Sequence, residues 1–296
     1  MSKINTNKLI LGTAQLEKNY GISNIFNKNQ KKNAFKTLET AFKHGIKYID
    51  TAPGYESEKI IGNFILAHGL SRQINIFTKI PTLDKTKNLE EFVIRSIENS
   101  LKNLKSDIHT LFLHNTKNID LFKKNIVFFK KLKKIFPIKY LGFSIYSNKE
   151  IYTTSKLRFE PTYQVPFNIL DQKFVNTNIK KNKLIARSIF LQGLLINRLI
   201  KKDKLPNKLV ISHKKYHDFL SELNISPLRF QLSFINNVKK INKFIIGVDN
   251  YHQLEEIINC NLLKKVDKKN IYKINSFFNK INIDPRKWKK QNKISI

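Results

Sequence analysis

The sequence predicts an α/β fold, a single (β/α)8 barrel or TIM barrel, and three observations predict it. Short apolar runs alternate with longer helix-period segments along nearly the whole chain, the pattern of parallel strands joined by crossover helices. The apolar runs number eight, the count that closes such a barrel. A length of 296 residues suits one domain of this kind, and no internal boundary is demanded.

The strands are expected near Leu9 to Thr13, Lys47 to Asp50, Ile74 to Ile80, Ile108 to His114, Tyr140 to Ser144, Thr162 to Pro166, Leu184 to Ser188 and Phe244 to Val248. Between them, Lys31 to His44 carries Ala34, Phe35, Leu38, Ala41 and Phe42 at three-four spacing, and Leu89 to Leu104 repeats that pattern with Phe92, Val93, Ile97, Leu101 and Leu104. Both are expected as amphipathic outer helices. The stretch from Leu170 to Lys183 is too polar to predict a helix, whereas Ser226-Pro227 offers a cap and a first-turn proline for one. Residues 1–263 are assigned to the barrel. Residues 264–296 form a basic C-terminal segment, ending around Trp288, that either covers the barrel mouth or stays solvated.

Composition bounds the function. A hydrophobic fraction of 41% supports a full core, and 26% charged residues do not suggest disorder. The net charge of +33 raises nucleic-acid or anionic-membrane binding as a rival function. Against it, the charge is mostly lysine, spread along the chain, while phosphate and base readers favour clustered arginine. The expectation is therefore no nucleic-acid partner and no membrane, with the charge attracting small anionic ligands. The one cysteine, Cys260, excludes an internal disulfide and reads as a buried, unreactive thiol among Ile257, Ile258 and Leu262. With no Cys/His cluster, a structural zinc site is not expected. The opening residues lack a signal-peptide core, and no apolar run approaches the ~20 residues of a membrane span. A cytoplasmic enzyme, monomeric or weakly self-associating, is expected.

The chemistry gathers at predicted strand ends. Asp50-Thr51-Ala52-Pro53-Gly54-Tyr55 follows the second strand, Thr78-Lys79 ends the third, Leu113-His114 the fourth, and Gly142-Phe143-Ser144 the fifth. Singly, each has an ordinary reading: a helix cap, a surface lysine, a strand-end histidine. Together they fall where (β/α)8 barrels carry their functional groups. Asp50, Tyr55, Lys79 and His114 at one barrel mouth would make a proton-transfer site. A free tyrosine holds its proton too tightly to act as an acid near neutral pH, and a buried ammonium beside it favours phenolate. A carboxylate behind that ammonium keeps it charged. Tyr55 is thus the candidate acid, Lys79 its tuner and Asp50 the partner of Lys79, with His114 to polarise a carbonyl oxygen.

These pieces, with Leu9-Ile10-Leu11-Gly12-Thr13-Ala14, Ile46 to Ala52 and Phe244-Ile245-Ile246-Gly247-Val248-Asp249-Asn250, resemble the aldo/keto reductase family over most of the chain. The resemblance implies reduction of an aldehyde or ketone by a nicotinamide nucleotide, with NADPH first and NADH as the alternative. The chain has neither G-x-G-x-x-G nor G-x-x-x-x-G-K-[ST], and the family binds its cofactor without them. By resemblance, Ser144 and Gln164 hold the nicotinamide carboxamide, and Ile145 stands where members have Asn. Arg187, next to Ser188, replaces the aromatic that many members place under the nicotinamide ring; a guanidinium can also stack on a planar ring. Gly247, Val248, Asp249, Gln253 and Glu256 fall in the turn and helix start that cradle the adenosine 2'-phosphate. There, Gly247 and Gln253 stand where many members have Lys and Arg. Tyr20, in the polar loop after the first strand, is the candidate substrate contact. Gly12-Thr13-Ala14-Gln15, Asn19 to Ile22 and Phe190 to Leu195 resemble a bacterial subgroup tied to sugar metabolism, implying a carbohydrate-derived substrate. Two other readings are a barrel that binds cofactor without turnover and the basic binding protein above.

Overall fold

Apolar residues two apart along each strand set the architecture, because a two-residue repeat sends alternate side chains to opposite faces of a sheet. The computed structural model describes residues 2–16, 30–83, 88–114, 119–157, 159–180, 183–202 and 205–288. Within them lie β1 (Leu9–Gly12), β2 (Tyr48–Asp50), β3 (Asn75–Ile80), β4 (Ile108–Leu113), β5 (Ile138–Ser144), β6 (Thr162–Pro166), β7 (Leu184–Arg187) and β8 (Lys243–Gly247). Each strand pairs in parallel with its sequence neighbours, and β1 pairs with β8 to close the barrel. The fold is a (β/α)8 barrel.

The inward faces form a small inner core of Ile10, Phe77, Phe112 and Ile185, with Tyr48 and Ile245 packed on it. Gly142 makes room for it, since a Cβ there would come within 2.6 Å of the Phe112 ring and 2.5 Å of the Thr162 carbonyl oxygen. The outward faces pack under the helices in one large core. These helices are α1 (Gln30–Lys43), α2 (Glu58–His68), α3 (Leu89–Leu104), α4 (Ile119–Lys124), α5 (Ile126–Ile135), α6 (Asn148–Ser155), α7 (Asn207–Glu222), α8 (Pro227–Asn237), α9 (Tyr251–Asn259) and α10 (Lys268–Phe277). As its sequence predicts, α8 opens with Ser226 accepting from the Arg229 N–H and proline in the first turn. No helix among the described residues is long and apolar enough to cross a membrane.

Strand limits differ from expectation by a residue or two. β7 stops at Arg187 because Ser188 turns to φ +58°, outside strand geometry. Cys260 is half-buried rather than buried, since it follows the last turn of α9 in extended backbone while Ile257, Ile258 and Leu262 fill the core. Burial still pushes its thiol pKa up, away from reactivity. Beyond residue 263, α10 lies on α7, and the Ser212 hydroxyl donates to the Phe277 carbonyl at 2.5 Å. Ile274, Phe278 and Trp288 are buried in the main core. The expected substrate contact Tyr20 lies outside the described residues.

Candidate active site

Two residues beyond the inner-core layer, each strand places its next inward position at the C-terminal mouth. In strand order these are Gly12, Asp50, Lys79, His114, Ser144, Gln164, Arg187 and Gly247, and all eight line one cavity. Tyr55 joins them from a short 3-10 turn, Pro53–Tyr55, after β2. The loop from Ser188 to Asn197 and the β8–α9 turn complete the wall. Ser188, Val248, Asp249, Gln253 and Glu256 all lie there. Every sequence-predicted site residue within the described chain therefore shares this cavity.

At its floor, Lys79 Nζ donates to Asp50 Oδ2 at 2.8 Å and to the Thr51 carbonyl at 2.8 Å. Both charged side chains are almost wholly buried. Gln164 Nε2 donates to the other oxygen, Asp50 Oδ1, at 2.5 Å. An ionised carboxylate accepts only, so the amide of Gln164 must face it with nitrogen, which leaves Oε1 pointing elsewhere. That Oε1 is buried without a partner in a residue with no exposed surface. A buried unpaired acceptor is costly and marks a place for a donor from outside the protein.

Burial works to lower the Lys79 pKa, but the Asp50 carboxylate and Tyr55 more than offset it, so the ammonium is retained. It lies 5.1 Å from the centre of the Tyr55 ring. His114 is pushed the other way, to about 4, by burial and then by Lys79, with Asp50 opposing. It is a neutral imidazole near pH 7, able to donate one N–H.

A hydroxyl cluster beneath holds the Asp50-to-Tyr55 segment. Thr13 Oγ1 donates to the Asp50 carbonyl at 3.0 Å and meets the Ser57 hydroxyl at 2.8 Å, and Thr51 meets the same hydroxyl at 3.0 Å. Glu56, directly after Tyr55, adopts left-handed φ +66°, a conformation that a non-glycine residue keeps only when its surroundings impose it.

Arg187 is half-buried in the cavity wall, not a surface residue. It donates from Nη2 to the Ile145 carbonyl at 3.3 Å, and its guanidinium lies 4.3 Å from the centre of the Tyr146 ring. Arg286, from the C-terminal segment, sits 3.5 Å from that same ring centre and pairs with Asp284. Ile145 has no exposed surface and belongs to the main core, so that position contributes a backbone oxygen and no side chain to the mouth.

Sequence reasoning misses Tyr146 and Arg286, which carry no local signal, and gives Gln15 only as part of a motif. Gln15 Nε2 donates to Asp249 Oδ1 at 2.9 Å, and a Cβ on Gly247 would lie 1.9 Å from its Oε1. Gly247 is thus glycine because Gln15 fills the space above it.

The aldo/keto reductase family model matches residues 8–278. Aldo-keto reductase YhdN of Bacillus subtilis (strain 168) is 27% identical over 184 residues. That match covers 57% of this chain and 55% of YhdN, so it spans about half the length of this relative. Among solved structures, the glycerol dehydrogenase AKR11B4 from Gluconobacter oxydans superposes with a TM-score of 0.67 over 92% of this chain and 91% of that one. At 18% identity this is a likeness of fold. With the family model covering the barrel from β1 into the C-terminal segment, the chain belongs to the aldo/keto reductase family.

Proposed function

We propose that this protein reduces an aldehyde or ketone to an alcohol, using a nicotinamide dinucleotide bound across the barrel mouth. The observation that carries the reading is the buried Lys79–Asp50 pair beside Tyr55, with neutral His114 in the same cavity. When bound, the reduced nicotinamide supplies the hydride. Tyr55 gives its proton to the carbonyl oxygen as negative charge develops there, and the Lys79 ammonium stabilises the phenolate left behind. Asp50 keeps Lys79 charged and in place. His114 donates an N–H to the same carbonyl oxygen and orients the substrate. The unpaired Gln164 Oε1 fits the amide N–H of a carboxamide, and Ser144 lines the cavity beside it. Arg187, Ser188 and the β8–α9 turn with Gly247, Val248, Asp249, Gln253 and Glu256 would hold the rest of the nucleotide.

Family resemblance puts NADPH first as cofactor, with NADH as the alternative. It also points to a carbohydrate-derived carbonyl compound, admitted past the loop that carries Tyr20. The segment after residue 263, which brings Arg286 onto Tyr146, covers part of the mouth. A small-molecule substrate, a cytoplasmic setting and a monomer or weak homo-oligomer complete the reading.

The test pairs binding with turnover. Titration of nicotinamide fluorescence should show saturable binding of at least one reduced nucleotide. Tyr55→Phe should keep that binding and lose about 10²- to 10⁴-fold in turnover of a small aldehyde. Substantial turnover by a folded Tyr55→Phe variant removes Tyr55 from the acid role, and binding of neither nucleotide overturns the reading.

A further inference from the structure

A second cluster of charged and aromatic side chains gathers at the opposite, N-terminal end of the barrel. Tyr48 opens β2, Lys243 opens β8, Lys183 directly precedes β7, and Lys139 and Tyr140 are neighbours early in β5. His109 comes from the start of β4, where the register with β3 shifts. Ile76 pairs with Ile108 but Phe77 with Thr110, which leaves His109 as an extra residue on that side. A bulge of this kind re-aims a side chain. The imidazole packs against three rings, with centres 5.7 Å from Tyr48, 5.2 Å from Phe77 and 5.2 Å from Tyr140. Its Nδ1 meets the Thr110 hydroxyl at 2.9 Å, and no other hydrogen bond among the described residues holds the ring. Five residues of strand, roughly 17 Å, separate His109 from His114 at the mouth.

Three ammonium groups surround this ring. Lys243 Nζ lies 3.9 Å from the centre of the Tyr48 ring, and the Nζ atoms of Lys183 and Lys139 lie 4.7 Å and 5.4 Å from that of Tyr140. After burial, these three lysines are what keeps His109 neutral, and no carboxylate offsets them. Lys183 also acts on Glu160, but that carboxylate is exposed and already paired with Lys180 at 2.5 Å. Unpaired lysines are ordinary on the surface of a chain with net charge +33, where water solvates them. Lys183 and Lys243, however, are half-buried, and burial lowers the Lys243 pKa. Lys243 donates one N–H to the Asn7 carbonyl at 2.6 Å, which leaves its other donors open. Partly desolvated cations repel one another, and a tyrosine face returns only about 0.5–2 kcal/mol to each.

Convergent ammonium groups with no carboxylate among them match a compact anion. A phosphate group brings three terminal oxygens, one for each lysine, and about 1.5 to 2 negative charges near neutral pH. Lysine grips such a group as a point charge. A carboxylate has only two oxygens and one charge. We propose that Lys139, Lys183 and Lys243, grouped around His109, form a phosphate-binding site at the N-terminal end of the barrel. Its ligand is inorganic phosphate or the phosphoryl end of a small phosphate ester. None of these four residues lines the cavity at the mouth, so the site is separate from the one that serves carbonyl reduction. Bound phosphate offsets the repulsion and returns the His109 pKa toward its ordinary value.

The test is an NMR titration of the full chain near pH 7 with inorganic phosphate and, separately, with glycerol phosphate, at an ionic strength held constant with chloride. The signal followed is the His109 ring resonance, identified by its loss in His109→Gln. The expected result is a saturable shift with a Kd of about 1 mM or tighter, weakened about tenfold in Lys183→Met and in Lys243→Met. Thermal melts check that each variant is folded. Lys139→Met, at an exposed position, supplies the same readout if either half-buried lysine proves necessary for folding. Whichever ligand binds more tightly tells free phosphate from an ester, and either upholds the site. A shift that does not saturate, that chloride alone reproduces, or that persists unchanged in the folded lysine variants overturns it.

Discussion

Asp50 illustrates how much one side chain can be asked to do, since its two oxygens serve Lys79 and Gln164 while its carbonyl receives Thr13. Removing one partner of a buried ion pair leaves the other charge uncompensated, which costs roughly 3–5 kcal/mol. Asp50→Asn should therefore destabilise the protein by about that amount at neutral pH, read as a lowered denaturant midpoint. An unchanged midpoint would mean that Lys79 finds another partner or sheds its proton at little cost. At this scale the sequence was legible where chemistry coincided with strand ends. Asp50, Lys79 and His114 each follow an apolar run that marks the strand, and the two-residue repeat then fixes which face they take. Gln15, Tyr146 and Arg286 follow no such rule. Their roles depend on loops meeting across the mouth, a non-local fact that spacing does not encode.

Individual elements show the same division between local and non-local causes. The loop after β7 contains left-handed residues at Ser188, Leu191 and Gln192, and none of these three is a glycine. It is held from outside, by α7. His213 Nε2 meets the Asn197 carbonyl at 2.9 Å, Tyr216 donates to the Leu195 carbonyl at 2.9 Å, and His217 Nε2 meets the Leu194 carbonyl at 3.3 Å. Tyr216 also accepts from Gln231 at 2.9 Å. Tyr216→Phe strands a buried carbonyl and a buried amide, a loss of about 1–3 kcal/mol. Because the loop lines the cavity, the variant should also bind nicotinamide nucleotide more weakly in the same fluorescence titration; unchanged stability and affinity would show that the two histidines suffice. Helix α2 provides the sharper contrast with sequence reasoning. On propensity alone, Gly62→Ala in mid-helix should gain about 1 kcal/mol. The added Cβ would instead lie 1.9 Å from the backbone oxygen of Asn103 at the end of α3, an atom with little freedom to move. Overpacking of this kind typically costs about 1–3 kcal/mol, so Gly62→Ala should lower the urea midpoint; a raised midpoint would show that the two helices separate freely.

For the molecule as a whole, the strand count made barrel closure legible, but the distribution of protonation was not, because burial is a property of the finished fold. Three histidines at separate places are driven to a pKa of about 4. His109, near the N-terminal end of β4, owes this to burial and then to Lys139, Lys243 and Lys183. His114 at the mouth owes it to burial and Lys79, and His217 on α7 to burial and His213. In the unfolded chain each would titrate near 6.5. Between about pH 6.5 and 4 the unfolded state therefore binds protons that the native state refuses, and stability must fall as pH falls through this window. Each of these histidines adds to the slope, and so does His213, whose pKa burial also lowers, while the raised Glu58 carboxyl works against it at the acid end. The net charge of +33 predicts acid sensitivity too, through self-repulsion that grows as carboxylates protonate. Salt separates the two causes. Added salt screens repulsion between exposed charges, whereas the cost of burying a charged imidazole is screened far less. Urea midpoints between pH 7 and pH 5, measured at low and high salt, should decline with similar slopes at both if buried histidines dominate. A decline abolished by salt would assign the sensitivity to surface charge, and the absence of any decline would mean that the native fold accepts protons on these histidines.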